Sequence, residues 1–84
     1  MSESEKFLLS FEFASDGEEL VIHGDPAGFH SLARHIDLLV SHTPAGSMEH
    51  SHLRTPAWGG DELSSSGQGS GTAINHVRLV CWKK

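Results

Sequence analysis

The sequence predicts an α+β fold, with one helix packed on one face of an antiparallel sheet of four to five strands. Three observations lead to this prediction. Residues 7–13 alternate large apolar side chains with other positions, as in a half-buried strand. Residues 26–42 repeat apolar side chains at helical spacing. Residues 74–82 carry apolar groups on both faces toward their end, which suits a central strand or a strand at a dimer contact. The predicted order of elements is β-β-α-β-β-β.

The first two strands are predicted to form a hairpin. Asp16 and Gly17 lie between the first apolar run and a second one at 19–23, a pattern typical of a tight turn between paired strands. Because side chains alternate across a strand, Leu20 and Ile22 share one face and are expected to meet the phenylalanine stripe of the first strand.

The helix is predicted to begin after Asp25, which is a good N-cap, with Pro26 in the first helical position. It is expected to end near His42, because Pro44 disfavours helical backbone at Thr43. One apolar stripe would pack on the sheet, formed by Phe29, Leu32, Ala33, Ile36, Leu39 and Val40.

The second half of the chain supplies the remaining predicted strands, at residues 48–55, 61–64 and 74–82. Residues 65–72 are mostly glycine and serine, so we expect a flexible loop there. A strongly bent sheet, close to a small barrel of the Sm-like kind, is the alternative architecture. In either case the predicted core is Phe7, Leu9, Phe11, Leu20, Ile22, Phe29, Leu32, Ile36, Leu53, Val77 and Leu79.

The length of 84 residues fits a single domain, 1–84, with a frayed tail at 1–5. A domain of this size buries only about 60–65% of the surface that its unfolded chain exposes. Pairing with a second copy would therefore stabilise the chain, and a homo-oligomer is a candidate state.

Charge and cysteine content exclude several classes of function. The net charge of −5 disfavours a nucleic-acid partner, which would require a basic patch. One cysteine, Cys81, cannot form an internal disulfide, which indicates a reducing compartment. The polar N-terminus does not resemble a secretion signal, and no apolar run is long enough to span a membrane. We therefore expect a cytoplasmic protein.

Three histidines form the strongest candidate metal site. His50 and His52 project from one face of the third strand, and His76 could join them if the last strand lies alongside. Without cysteine partners or a longer zinc pattern this signal is weak, so we expect no bound metal and no cofactor. Cys81 with His76 is conceivable as a nucleophile and base, but Cys81 lies on an inward strand face. We expect no enzymatic activity.

The segment around Trp58 is the best candidate for a partner-binding site. Gly59 and Gly60 permit a tight bend, and Trp58 beside them is either a core plug or an exposed anchor for a partner. Asp61 and Glu62 follow, and Arg54 precedes, so charged groups flank the aromatic ring.

Three segments together resemble a known family of proteins. They are residues 20–28, which run from a strand through Gly-Asp-Pro into the helix, residues 50–63 and residues 76–82. The specific part is His-Ser-His-Leu followed by Thr-Pro-Ala-Trp-Gly-Gly-Asp-Glu-Leu at 55–63. The order resembles the small immunity proteins of bacterial polymorphic toxin systems, in the immunity family numbered thirty-two.

The resemblance implies a non-enzymatic protein that protects the cell producing a toxin by binding that toxin. The acidic charge is consistent with a basic toxin, because opposite charges accelerate association. The alternative is an oligomeric Sm-like or orphan binding module without a toxin partner. A toxin-like reading frame beside the gene would distinguish the two.

Overall fold

The computed structural model describes residues 6–65 and 69–84. Among these residues there are one α-helix, five strands and one 3₁₀ helix. In chain order they are β1 (Leu9–Phe13), β2 (Leu20–Gly24), α1 (Pro26–His42), β3 (Ser47–Arg54), the 3₁₀ helix (Pro56–Trp58), β4 (Thr72–Ala73) and β5 (His76–Lys83). The predicted α+β class with a single helix is confirmed.

The strands divide into two antiparallel sheets where the sequence predicted one. The first sheet has the order β2-β1-β4, and the second pairs β3 with β5 over their full length. Residues 63–64 connect them: the Ser64 N–H donates to the Leu9 carbonyl at 2.8 Å, and the Leu63 N–H donates to the Arg54 carbonyl at 3.2 Å. The predicted strand at 61–64 is therefore a linker, and the fourth strand lies at 72–73.

Local signals set the helix bounds as predicted. The Asp25 carboxylate accepts the Gly28 N–H at 2.7 Å, which caps the first turn. At the other end the Thr43 hydroxyl donates to the Leu39 carbonyl at 2.6 Å, and Thr43 has an extended backbone. The helix packs against residues of both sheets.

The core is smaller than predicted and lies between the two sheets. Its buried centre is Leu9, Phe11, Leu53 and Leu63, surrounded by half-buried Phe7, Leu32, Ile74, Val77 and Leu79. Four predicted core residues are instead 38–50% exposed, namely Leu20, Ile22, Phe29 and Ile36.

The helix is rotated from its predicted orientation, and this rotation exposes part of its apolar stripe. Leu39, Ser31 and Gly28 are the buried positions of α1, whereas Ile36 is exposed. Gly28 explains the rotation, because a Cβ there would overlap the Leu8 carbonyl. The helix therefore packs near the start of β1 with the side that carries Gly28. The stripe that contains Ile36 lies beside this contact and is exposed.

One predicted mobile segment lies wholly, and the other partly, outside the described residues. Residues 1–5, the predicted frayed tail, and residues 66–68 of the predicted flexible loop lie outside the described part of the chain. In the rest of that loop, the N–H groups of Gly69 and Gly71 donate to the Glu12 carboxylate at 3.0 and 3.4 Å.

Candidate functional site

The turn that carries Trp58 is anchored at Thr55, which is buried. The Thr55 carbonyl accepts the N–H groups of Trp58 at 2.9 Å and Gly60 at 3.0 Å. Its own N–H donates to the Asn75 carbonyl at 3.0 Å, and its hydroxyl donates to the Asn75 side chain at 2.8 Å. Two of these four hydrogen bonds close the turn on Thr55, and the other two hold Thr55 against Asn75, the residue before β5.

The two glycines of the turn are needed for different reasons. Gly59 has φ of 85°, in the left-handed region that favours glycine. Gly60 is close to its neighbours, since a Cβ there would lie 2.6 Å from the Glu62 Oε1 and 2.7 Å from Arg54. Glu62 Oε1 accepts the Arg54 N–H at 3.1 Å, which closes the turn on the end of β3.

Trp58 points away from the core with 57% of its surface exposed. The interpretation of Trp58 as a core plug is therefore wrong. Its ring stacks on the His76 ring, with centroids 6.1 Å apart and planes at 28°. A large aromatic side chain is thus held in a defined orientation while most of its area faces solvent.

The three candidate histidines come together beside Trp58. The register aligns His52 with Arg78 and Arg54 with His76, so side chains of β3 and β5 interleave. His52 stacks on His76 with centroids 4.8 Å apart, and His50 meets His52 edge-on at 5.0 Å. His50, His52, His76 and Trp58 therefore form one continuous row of rings, which we call the ring row.

A hydrogen bond within the ring row limits its charge. His52 Nδ1 lies 2.7 Å from His76 Nε2, a contact that needs one N–H donor and one unprotonated nitrogen. Full protonation of both rings would break it. Burial lowers the pKa of His52 from its usual 6.5, and positive charge on Arg54, His76, His50 and Arg78 lowers it further.

The described side chains of the ring row are not arranged as a metal site. Among residues 6–65 and 69–84, no group of three or more histidine, cysteine, aspartate or glutamate side chains is arranged to hold a metal ion. The His52–His76 contact directs the two nearest nitrogens at each other and leaves no space between them for an ion bonded to both.

The ring row belongs to a larger surface, the outer face of β3 and β5. Alternation places on this face Met48, His50, His52, Arg54, His76, Arg78, Val80 and Trp82. Two of the eight side chains are permanently cationic and none is a carboxylate. Trp82, at the far end, is 65% exposed. Cys81 lies on the opposite face from His76, so they do not form a nucleophile and base.

On its other side the turn borders a cleft of about 570 Å³ between α1 and residues 60–65. Asp61 and Glu62 line one wall, and Lys6, Arg34 and His35 line the other. The two predicted acidic residues therefore differ in their surroundings. Asp61 is exposed, whereas Glu62 is half-buried and bonded to the backbone of Arg54.

Glu12 has a structural role that the sequence did not indicate. Strand alternation suggests a solvent-facing position, yet the side chain is 5% exposed. His23 Nε2 lies 3.5 Å from its carboxylate, and the N–H groups of Gly69 and Gly71 donate to it. The segment at Gly69 and Gly71, distant in sequence, therefore covers a position that alternation alone leaves open to solvent.

Comparison with known proteins identifies one family. The family model described as Immunity protein 32 matches residues 19–77, more than half of the chain. The match includes the ring row and the Trp58 turn. Neither a curated protein nor a solved structure matches significantly. Within the described residues, α1 is too short and too polar to cross a membrane, and no other helix could do so.

Proposed function

Because the chain belongs to the Immunity protein 32 family, we propose that it neutralises a toxin by binding it, without catalysis, through the surface centred on Trp58. The partner-binding residues are Trp58, Gly59, Gly60, Asp61, Glu62 and Arg54, extended by the ring row. The observation that carries this proposal is the position of Trp58, largely exposed on a turn that is closed by hydrogen bonds.

An exposed tryptophan on a rigid turn is well suited to anchor a partner. Tryptophan is enriched among the residues that dominate interface energies. Binding usually costs side-chain and loop entropy, about 0.5–1.5 kcal/mol for each flexible side chain that becomes fixed. Here the hydrogen bonds to Thr55 and the stack on His76 restrict the turn before the partner arrives. Less binding free energy is therefore lost in ordering the turn and its side chains.

The net charge of the chain and the local charges near Trp58 act on a partner at different distances. The net charge of −5 would attract a basic toxin from a distance and accelerate association. At contact, Asp61 offers a carboxylate on one side of the turn, whereas Arg54 and Arg78 offer cations on the other. A basic toxin that presents a carboxylate toward β3 and β5 would match both sides.

The proposed compartment is the cytoplasm. The lone thiol of Cys81 is half-buried and has no second cysteine to pair with, so the chain needs no oxidising environment to fold.

The proposal is tested by capture followed by a growth assay. The wild-type chain and a Trp58→Ala variant are used as baits in lysate of the native cell, at low and high salt. We expect one protein to bind the wild-type chain and to be depleted on the variant. Expressed alone, that protein should stop growth, and coexpression of the wild-type chain should restore it. A captured protein that is harmless when expressed would favour the alternative, a binding module without a toxin partner.

A further inference from the structure

The exposed flank of α1 carries an apolar stripe that the core does not use. Phe29, Ala33, Ile36 and Val40 are three or four residues apart and so lie on one side of the helix, and all are exposed. The buried positions Gly28, Ser31 and Leu39 lie on the neighbouring side. The helix therefore has more apolar surface than its contact with the sheets covers.

The stripe continues onto the edge strand β2. A Cβ at Gly24 would lie 2.9 Å from the Phe29 ring, so this ring sits over the end of β2. Ile22 and Leu20 point to the same face as Gly24, and Phe13 lies opposite Leu20 on β1. Together the exposed large members form the α1–β2 patch, which consists of Phe13, Leu20, Ile22, Phe29, Ile36 and Val40.

Strand β2 is at the edge of its sheet. Among the described residues it pairs with β1 on one side, and no strand pairs with its other side. An edge of this kind has unpaired N–H and C=O groups and can add another strand. Its five residues, Leu20–Gly24, contain no proline or lysine that would block such pairing.

We propose that the α1–β2 patch is the interface of a two-fold symmetric homodimer, in which β2 pairs antiparallel with β2 of a second copy. Such pairing joins two three-stranded sheets into one. Because α1 lies over one face of β2, the two α1 helices then lie on the same side of the joined sheet. The two apolar stripes meet across the axis and exclude water.

The size and composition of the patch favour a second copy over another kind of partner. Its six side chains are 38–50% exposed, which leaves roughly 400–500 Å² of apolar surface per protomer. A standard interface buries about 800 Å² per partner, of which about 60% is apolar. The patch contains no charged side chain, and homodimer interfaces are more apolar than those between independently folded partners.

The small core gives a second reason. Only five apolar side chains are buried in the described chain, Leu9, Phe11, Leu39, Leu53 and Leu63. Small domains with so little buried surface are commonly stabilised by association. The α1–β2 patch shares no residue with the outer face of β3 and β5. A dimer would therefore leave both copies of the Trp58 surface free, and this inference does not depend on the proposed function.

Sedimentation equilibrium of the full chain, from low micromolar to several hundred micromolar, tests the proposal. We expect the wild-type chain to be a dimer over most of this range. Ile36→Asp should weaken dimerisation by at least 100-fold, because it buries a carboxylate at the contact. The matched control is Leu38→Asp, on the same helix, equally exposed and outside the stripe, which should dimerise as the wild type does.

Cross-linking keeps the proposal testable if Ile36→Asp fails to fold. In a Cys81→Ser background, Ile36→Cys should form an intermolecular disulfide under mild oxidation, and Leu38→Cys should not. A wild-type chain that stays monomeric throughout would overturn the proposal and leave the patch to a different protein. Equal dimerisation of the two aspartate variants, or equal cross-linking of the two cysteine variants, would also overturn it.

Discussion

Strand alternation predicts the face on which a residue lies, but it predicts burial only in part. Alternation correctly places His50, His52 and His76 on one face, because β3 and β5 pair in a register that keeps all three on the outer side of the sheet. The same rule fails at Glu12, which points away from the core yet is buried by residues 69–71. Periodicity reports which side a residue faces, but not whether a distant segment covers that side.

The lowered pKa of His52 predicts a pH-dependent stability. The unfolded chain binds a proton at His52 near pH 6.5, whereas the folded chain resists it because of burial and nearby positive groups. The unfolded state therefore binds more protons below pH 6.5, and the free energy of unfolding falls as the pH falls through this range. Above pH 6.5 the contribution of His52 should be constant.

Urea unfolding at pH 7.5, 6.5 and 5.5 measures this effect. We expect His52→Gln to lose less stability than the wild type between pH 6.5 and 5.5. The control is His30→Gln, which changes an exposed histidine of α1 and should keep the wild-type pH dependence. A His52 variant with an unchanged slope would show that protonation of His52 does not destabilise the fold.

At the scale of elements, the helix shows what sequence can and cannot predict. Its bounds follow from local signals at Asp25, Pro26 and Thr43, and these are confirmed. Its rotation depends on the close contact between Gly28 and the backbone of Leu8, just before β1, which no local pattern reveals. Because the apolar arc of the helix is wider than the face that packs on the core, periodicity alone does not show which part is buried, and it wrongly places Ile36 in the core.

The observed rotation makes a prediction for two adjacent leucines of α1. Leu39 is 9% exposed and Leu38 is 49% exposed, although both are leucines of the same turn. Leu39→Ala should lower the free energy of unfolding by about 2–5 kcal/mol, because it removes buried methyl groups and leaves a cavity. Leu38→Ala should cost less than about 1 kcal/mol. Denaturant melts in which the two variants lose equal stability would contradict the observed helix orientation.

At the scale of the whole molecule, two sheets replace the single predicted sheet, and the Trp58 turn lies where they connect. Four of the five strands were predictable from the sequence, but β4 at Thr72–Ala73 and the division into two sheets were not, because residues 61–64 have strand-like composition. Leu63 is buried and its backbone bonds to the end of β3, so this segment links the sheets and fixes the turn. The exposure of Trp58 follows from that connection.

Two tryptophans of similar exposure allow a direct test of the proposal that Trp58 anchors the toxin. Trp58 and Trp82 are 57% and 65% exposed, and they lie near opposite ends of β5, about 20 Å apart along the strand. Both alanine variants should keep the wild-type fold, which a thermal melt checks. Loss of a dominant aromatic contact should weaken toxin binding by about 2 kcal/mol or more.

The decisive measurement is the affinity of the captured toxin for the wild type, Trp58→Ala and Trp82→Ala, by titration calorimetry. We expect Trp58→Ala to raise the Kd by about 30-fold or more, the equivalent of 2 kcal/mol, with Trp82→Ala close to wild type. A folded Trp58→Ala variant that binds the toxin as tightly as the wild type would contradict the claim.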